Sequence, residues 1–237
     1  MIERQLLLPD GHTLAYRLLA SARRRSVGLR IDRNGLTVST PSRIARHALD
    51  DILRQKADWI VAKLQEWQQK QPASIDWRDG TRLLYLGQPI LLRLSVAARS
   101  RAAQCAAGSL QLALPKPDCA KTVERRVLAW YRQAALEDFT RRIELLASRL
   151  GVAPPPLFLS SARTRWGSCN SRGEIRLNWR LIQAPPHIIH YVAAHELAHL
   201  KEMNHSPRFW AVVATLCPDY RAARQQLKAL SAQLHAL

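Results

Sequence analysis

Residues 195–205 read His195-Glu196-Leu197-Ala198-His199-Leu200-Lys201-Glu202-Met203-Asn204-His205, and every other part of the chain is best read outward from them. With eight histidines and eight glutamates in 237 residues, the pattern H-E-x-x-H arises by chance about 0.01 times. Upstream, Ile188, Ile189, Val192 and Ala193 predict that the stretch lies on a buried helix. Two histidines four apart on a helix are separated by about 40° around it and one turn along it, so both imidazoles can reach one ion. Glu196 sits about 100° from His195, too far round to be a natural third ligand but able to address a water at the metal.

His205 needs a break in the helix. On a continuous helix it would lie about 15 Å further along the axis than His195. Ser206-Pro207 is a start signal for a new helix, with serine as cap and proline at the first position. Asn204 is expected to close the old helix in a left-handed conformation. His205 then falls in a tight turn and folds back towards the pair. Three imidazoles and one water make an open tetrahedral zinc site, the pattern of catalytic centres. Glu202 is the competing ligand, seven residues from His195 on nearly the same face, although a last-turn carboxylate facing solvent needs no such role.

Three helices are expected after Pro185-Pro186, over about 187–203, 207–216 and 219–235. Strands over 157–161 and 174–177 flank Arg165-Trp166-Gly167-Ser168-Cys169, and a helix runs from about Asp118 to Leu150, closed by Gly151. Nearer the start, 27–31 and 36–40 read as a hairpin through Asn34-Gly35, followed by one helix over 44–69 whose apolar face is Ala48, Ile52, Ile60 and Leu64, flanked by Trp59 and Trp67. Residues 81–96 read as a second hairpin turning near Gly87-Gln88, and Leu110–Leu114 as a further strand after a loop of small residues. The fold class is α+β: an N-terminal α+β region with β-hairpins over 1–116, then a zincin-like helical catalytic region with a small sheet over 117–237. No internal sequence repeat is evident.

The balance is strongly basic, with 36 Lys+Arg against 18 Asp+Glu. Only seven of the 36 are lysines, so arginine dominates. Such an excess suits a polyanionic partner such as nucleic acid or nucleotide phosphates. It is scattered, however, with Arg23-Arg24-Arg25 the densest run, and a solvated arginine-rich surface accounts for it equally. The cysteines at 105, 119, 169 and 217 form no C-x-x-C pair, which argues against a thiolate zinc site and for reduced thiols in a cytoplasmic protein. No signal peptide and no apolar run of spanning length is evident, so no membrane association is expected.

The motifs resemble the YgjP-like metallopeptidase family, a zincin group of metal-dependent hydrolases, over roughly residues 20–230. The resemblance is carried by Arg163-Thr164-Arg165-Trp166-Gly167-Ser168-Cys169, Leu177-Asn178-Trp179-Arg180-Leu181, Tyr191 through His199, and Asn204-His205-Ser206 followed by Phe209-Trp210. It implies zinc at His195, His199 and His205, with Glu196 catalytic. Metzincins share the ligand spacing but carry glycine where Glu202 stands and a methionine beyond the third ligand; the only methionines here are Met1 and Met203. A looser similarity to SprT-type proteases keeps nucleic acid among the partners.

The chemistry expected is metal-assisted hydrolysis, with a zinc-bound water deprotonated by Glu196. Arg163 and Arg165 are candidates for substrate binding and for the oxyanion, if the Trp-Gly-Ser-Cys segment forms a strand beside the site; the competing view makes Trp166 and Trp179 core aromatics and the arginines solvent-facing. Cys169 lacks a dedicated base and reads as a small buried residue rather than a nucleophile. The substrate is a peptide or protein. One alternative is a nucleotide, because the resemblance extends to members described as pyrophosphatases of UTP-type triphosphates, although no G-x-x-x-x-G-K-[ST] loop is present. Another is a nucleic-acid-binding module with structural zinc, which would call for a fourth protein ligand.

Overall fold

The structure is a computed structural model that describes residues 2–8, 11, 13–32, 35–69 and 75–237. The chain divides into two compact units, Met1–Pro72 and Ala73–Leu237.

In the first unit, β1 (Ile2–Leu7), β2 (Thr13–Ser21), β3 (Gly28–Asp32) and β4 (Gly35–Pro41) form one sheet in the order β1-β2-β4-β3. The β1–β2 and β3–β4 pairs are antiparallel, and β2 lies parallel to β4. The expected hairpin is present, with Asp32 opposite Gly35; the two residues between them, 33 and 34, lie outside the described residues. Along β4 the period is two: Leu36, Val38 and Thr40 point inward. Two helices, α1 (Arg46–Gln55) and α2 (Ala57–Gln69), replace the single helix expected over 44–69. The break is at Lys56, at φ −102° and ψ 9°. The buried face also differs from the expected one. Leu49, Leu53 and Ile60 enter the core with Leu6, Leu14, Tyr16, Leu36 and Val38, whereas Ala48 and Ile52 are only half-buried. Trp59 is exposed, and the side chain of Trp67 lies outside the described residues.

The second unit opens with β5 (Arg82–Tyr85), β6 (Gln88–Val96), β7 (Gln104–Ala106) and β8 (Ser109–Leu114), in the order β5-β6-β8-β7. Two antiparallel hairpins again meet along a parallel central pair. The same strand topology therefore occurs in both units, a repeat invisible in the residues themselves. The β5–β6 turn is Leu86-Gly87, one residue earlier than expected, and both have positive φ (51° and 79°). That conformation suits a two-residue hairpin but strains a leucine. It is held by Leu86 N–H to Ile182 O (2.8 Å) and Gly87 N–H to Gln183 O (3.0 Å). The small-residue segment before β8, expected as loop, contains the short strand β7.

Helix α3 (Ala120–Leu150) ends at Gly151 in the left-handed conformation, as its sequence predicts. Its buried stripe runs Val123, Val127, Tyr131, Ala135, Phe139, Ile143 and Leu146. This stripe shares one core with Leu83, Leu92, Leu110 and Leu112 of the second sheet, and the Tyr131 hydroxyl donates to Leu84 O (2.6 Å). The division expected at residue 116 consequently falls inside the second unit. Strands β9 (Leu157–Ser160), β10 (Gly167–Cys169) and β11 (Ile175–Asn178) form a small sheet in the order β10-β11-β9. A 3-10 turn, Trp179–Gln183, leads to α4 (Pro186–Ala198), α5 (Pro207–Leu216) and α6 (Tyr220–Leu234). Architecture and element types are α+β, as expected. No helix among the described residues is long and apolar enough to cross a membrane.

Candidate metal centre

Helix α4 carries the site and is buried nearly all round, packing against α3, α5, α6 and β10. Its start is anchored by a salt bridge. Asp138, inside the α3 stripe, takes Arg142 Nε at 2.6 Å and Nη2 at 3.2 Å, and Arg142 Nη1 donates to Pro186 O at 3.2 Å. The helix ends at Ala198, earlier than the expected residue 203, with His199 at its C-terminal boundary. Leu200 N–H and Lys201 N–H then bond three residues back, to Leu197 O and Ala198 O, which tightens the chain out of the helix. Asn204 is not left-handed. It acts through its side chain, accepting Ser206 N–H at 3.0 Å, and this short ring makes the turn that a left-handed residue was expected to make. Ser206 caps α5 by accepting Phe209 N–H at 3.3 Å, with Pro207 in the first turn, as its sequence predicts.

The result brings His195, His199 and His205 together. One ring nitrogen from each lies within 4.8 Å of the others. The Nε2 atoms of His195 and His205 are 3.1 Å apart, and two nitrogens bound tetrahedrally to one zinc stand roughly 3.3 Å apart. His199 Nδ1 faces Glu202 O at 3.2 Å, which places its proton on Nδ1 and leaves the Nε2 lone pair as the one that could take a metal. Glu202 thus contributes its backbone carbonyl to the site. Burial holds both His195, with its pKa pulled down to about 3, and His199 towards the neutral form a metal requires. The Nδ1 atom of His195 is buried without a hydrogen-bond partner. This donor set fits a divalent ion preferring imidazole, with the three histidines as its holders.

Phe209 was not singled out in the sequence as part of the site. Its ring lies 4.9, 4.6 and 4.7 Å from those of His195, His199 and His205 and is fully buried. It is the apolar floor against which all three imidazoles rest.

Glu196 is 5 % exposed, and burial pushes its carboxyl up to about 8, partly opposed by the positive charge of Arg165. It packs against Gly167 of β10, where a β-carbon would come within 2.4 Å of Oε1. The Trp-Gly-Ser-Cys segment therefore does form a strand beside the site, and its glycine is there for space, since its φ is not positive. Asn178, wholly buried, positions this segment: its Nδ2 donates to Ala162 O (2.6 Å), and its backbone N–H to Trp166 O (2.8 Å). Arg165 is near enough for its charge to act on Glu196, whereas the charge of Arg163 is felt at His235, beyond α6. Trp179 is a core aromatic, its indole N–H on Ser161 Oγ at 3.0 Å. Trp166 is only half-buried and stacks on His235 at 4.2 Å. Burial and then Glu196 push the Cys169 thiol up, so it stays protonated and is no nucleophile at neutral pH. All four cysteines are free.

A three-histidine cluster with a buried carboxyl beside it defines a metal-dependent hydrolase of the metallopeptidase type. The chain belongs to the YgjP-like metallopeptidase family, whose domain model matches residues 25–230. A curated relative, the UTP pyrophosphatase of Escherichia coli (strain K12), is 29% identical over 82 residues, 35% of this chain. That match spans 46%, about half, of the relative's own length. Among solved structures, the metallopeptidase zymogen abylysin of Pyrococcus abyssi aligns with 38% of this chain and 92% of its own, at 22% identity and a TM-score of 0.37.

Proposed function

We propose that the protein is a zinc metallopeptidase in which His195, His199 and His205 hold the ion and Glu196 is the general base. The observation that carries this is the convergence of three imidazole nitrogens within 4.8 Å, with the Glu196 carboxyl on the next residue of the same helix. Three neutral imidazoles suit zinc among the divalent ions. Bound there with an open position, zinc supplies Lewis acidity, bringing the pKa of a water towards ~7 and polarising a scissile carbonyl. Glu196 takes the proton of the attacking water and returns it to the leaving amine. Its burial keeps its basicity near neutral pH, where a proton acceptor and donor works best. Arg165, and further out Arg163, supply positive charge for the substrate and the developing oxyanion.

Peptide is favoured as substrate by β10. It is an edge strand of its sheet and lies against Glu196 through Gly167. An extended chain can add to such an edge by backbone hydrogen bonds, which presents its carbonyls in register beside the base. Free cysteines support a cytoplasmic setting.

A second reading, a nucleoside triphosphate pyrophosphatase of the UTP type, is favoured by the Escherichia coli relative's name and by the arginine excess. A nucleic-acid-binding module with structural zinc is less favoured, because the metal group among the described residues has three members, not four. Wild type and Glu196→Gln, each zinc-loaded, separate these readings when given denatured protein and UTP. Peptide cleavage lost in the variant supports the peptidase. Pyrophosphate release lost in the variant, with no peptide cleaved, replaces it with the second reading. Salt-sensitive nucleic-acid binding without either activity replaces it with the third.

A further inference from the structure

A cleft of about 650 Å³ opens beside the metal centre, walled by Trp166, Tyr191, Arg221, Arg224, Gln225 and Lys228 among others. It adjoins the site on two sides. Tyr191 packs edge-on to His195 at 5.9 Å, and Trp166 immediately precedes the glycine that abuts Glu196. The charge of Arg224 is felt at both His195 and Tyr191.

The charge pattern of this cleft is one-sided. Arg221, Arg224 and Lys228 stand at i, i+3 and i+7, one face of α6, and no carboxylate lines the wall. None of the ion pairs among the described residues uses any of the three. Two of them are instead held by aromatic rings. Arg224 lies 5.2 Å over Trp210, and Arg221 lies 5.7 Å over Tyr220 with Nε on the phenol oxygen at 3.3 Å. Such contacts orient a cation without neutralising it. Trp210 in turn packs on His195 and His205 at 5.8 and 5.9 Å, so the cation row is built onto the ligand set itself. The row spans about 10 Å, about the length of three residues of extended chain at roughly 3.3 Å each. Alternate side chains of a strand face one way, so two acidic residues at i and i+2 would both meet it.

We propose that this cleft is the subsite that selects peptides carrying acidic side chains close to the scissile bond. The inference rests on the metallopeptidase reading and adds the substrate class. Its test uses the zinc-loaded full chain and quenched-fluorescence peptides that differ only in Glu-x-Glu against Gln-x-Gln beside a common cleavage sequence. The ratio of kcat/KM, acidic over neutral, is expected to be about tenfold or more at low salt, falling as salt screens the charges. In Arg221→Gln/Lys228→Gln the ratio falls to near one, and in the charge-preserving Arg221→Lys/Lys228→Arg most of it returns. Equal cleavage of both peptides by the wild type overturns the inference and leaves the peptidase reading standing. A preference that persists in the glutamine variant also overturns it, by moving the selectivity elsewhere. Failure of the wild type to cleave any peptide, with UTP hydrolysed instead, overturns the peptidase reading and the acidic-peptide subsite with it.

Discussion

A β-carbon on Gly167 would lie 2.4 Å from Oε1 of Glu196, so the strand and the carboxyl occupy adjoining space with no room for a methyl group. The glycine lets β10 approach the helix until the Glu196 carboxyl lies against the strand's backbone. Gly167→Ala is therefore expected to displace the carboxyl or the strand. Activity should fall about 100-fold, as for other misplacements of roughly 1 Å. Zinc content, measured by atomic absorption, should stay at one ion per chain, because the histidines are untouched.

The buried carboxyl also predicts a pH signature in the metal-free protein. Burial raises the Glu196 pKa from 4.5 to about 8, so the folded state binds a proton that the unfolded state has released across that interval. Its contribution is complete below about pH 4.5 and is lost as pH rises towards 8. His195, pulled down to about 3, acts oppositely: its contribution is present above 6.5 and lost as pH falls towards 3. Glu196→Gln removes only the first effect. Thermal melts in chelator should show the variant gaining on wild type by several degrees between pH 5 and 8.

Phe209 is expected to matter more to the metal than its apolar character suggests. Phe209→Ala removes a fully buried ring in contact with three imidazoles. The expected cost is about 3–5 kcal/mol in a chemical denaturation series. Zinc affinity, measured by competition with a chromophoric chelator, should weaken about 10-fold or more, as for lost support of ligand side chains. Phe209→Leu should recover most of the stability and less of the affinity.

Arg142 ties the α3 stripe to Pro186, the first residue of α4. Arg142→Ala leaves Asp138 buried with Arg141 as its remaining ion-pair partner, at 3.6 Å and largely exposed. The expected loss is about 2–4 kcal/mol by urea unfolding. Since the three histidines lie near the other end of α4 and beyond it, the zinc content of the folded fraction should be unchanged.

The convergence of the three histidines was legible because its signals are local. An imidazole pair four apart, a carboxyl between them, and Ser206-Pro207 after the third histidine each act within a turn of chain. The means of the turn was not: Asn204 makes it with a side-chain acceptor, and composition cannot distinguish that from a left-handed backbone. The supporting parts were hidden for a different reason. Gly167 meets Glu196 from another element, Asn178 holds Ala162 O across 16 positions, and Phe209 touches three rings at once, and no periodicity reports such contacts. In the first unit, Leu49 and Leu53 rather than Ala48 and Ile52 face the core with Ile60; their spacings of four and seven fit one helical face as well as the expected set does, so the apolar pattern by itself did not choose between them.

The proposed arrangement, three imidazoles holding one ion with one position open, is read directly by anomalous diffraction at the zinc edge on crystals of the zinc-loaded protein. A single peak is expected, with His195, His199 and His205 nitrogens each about 2.0–2.1 Å away and no fourth protein ligand. An ion bound without His205, or one closed off by a fourth side chain, would contradict it.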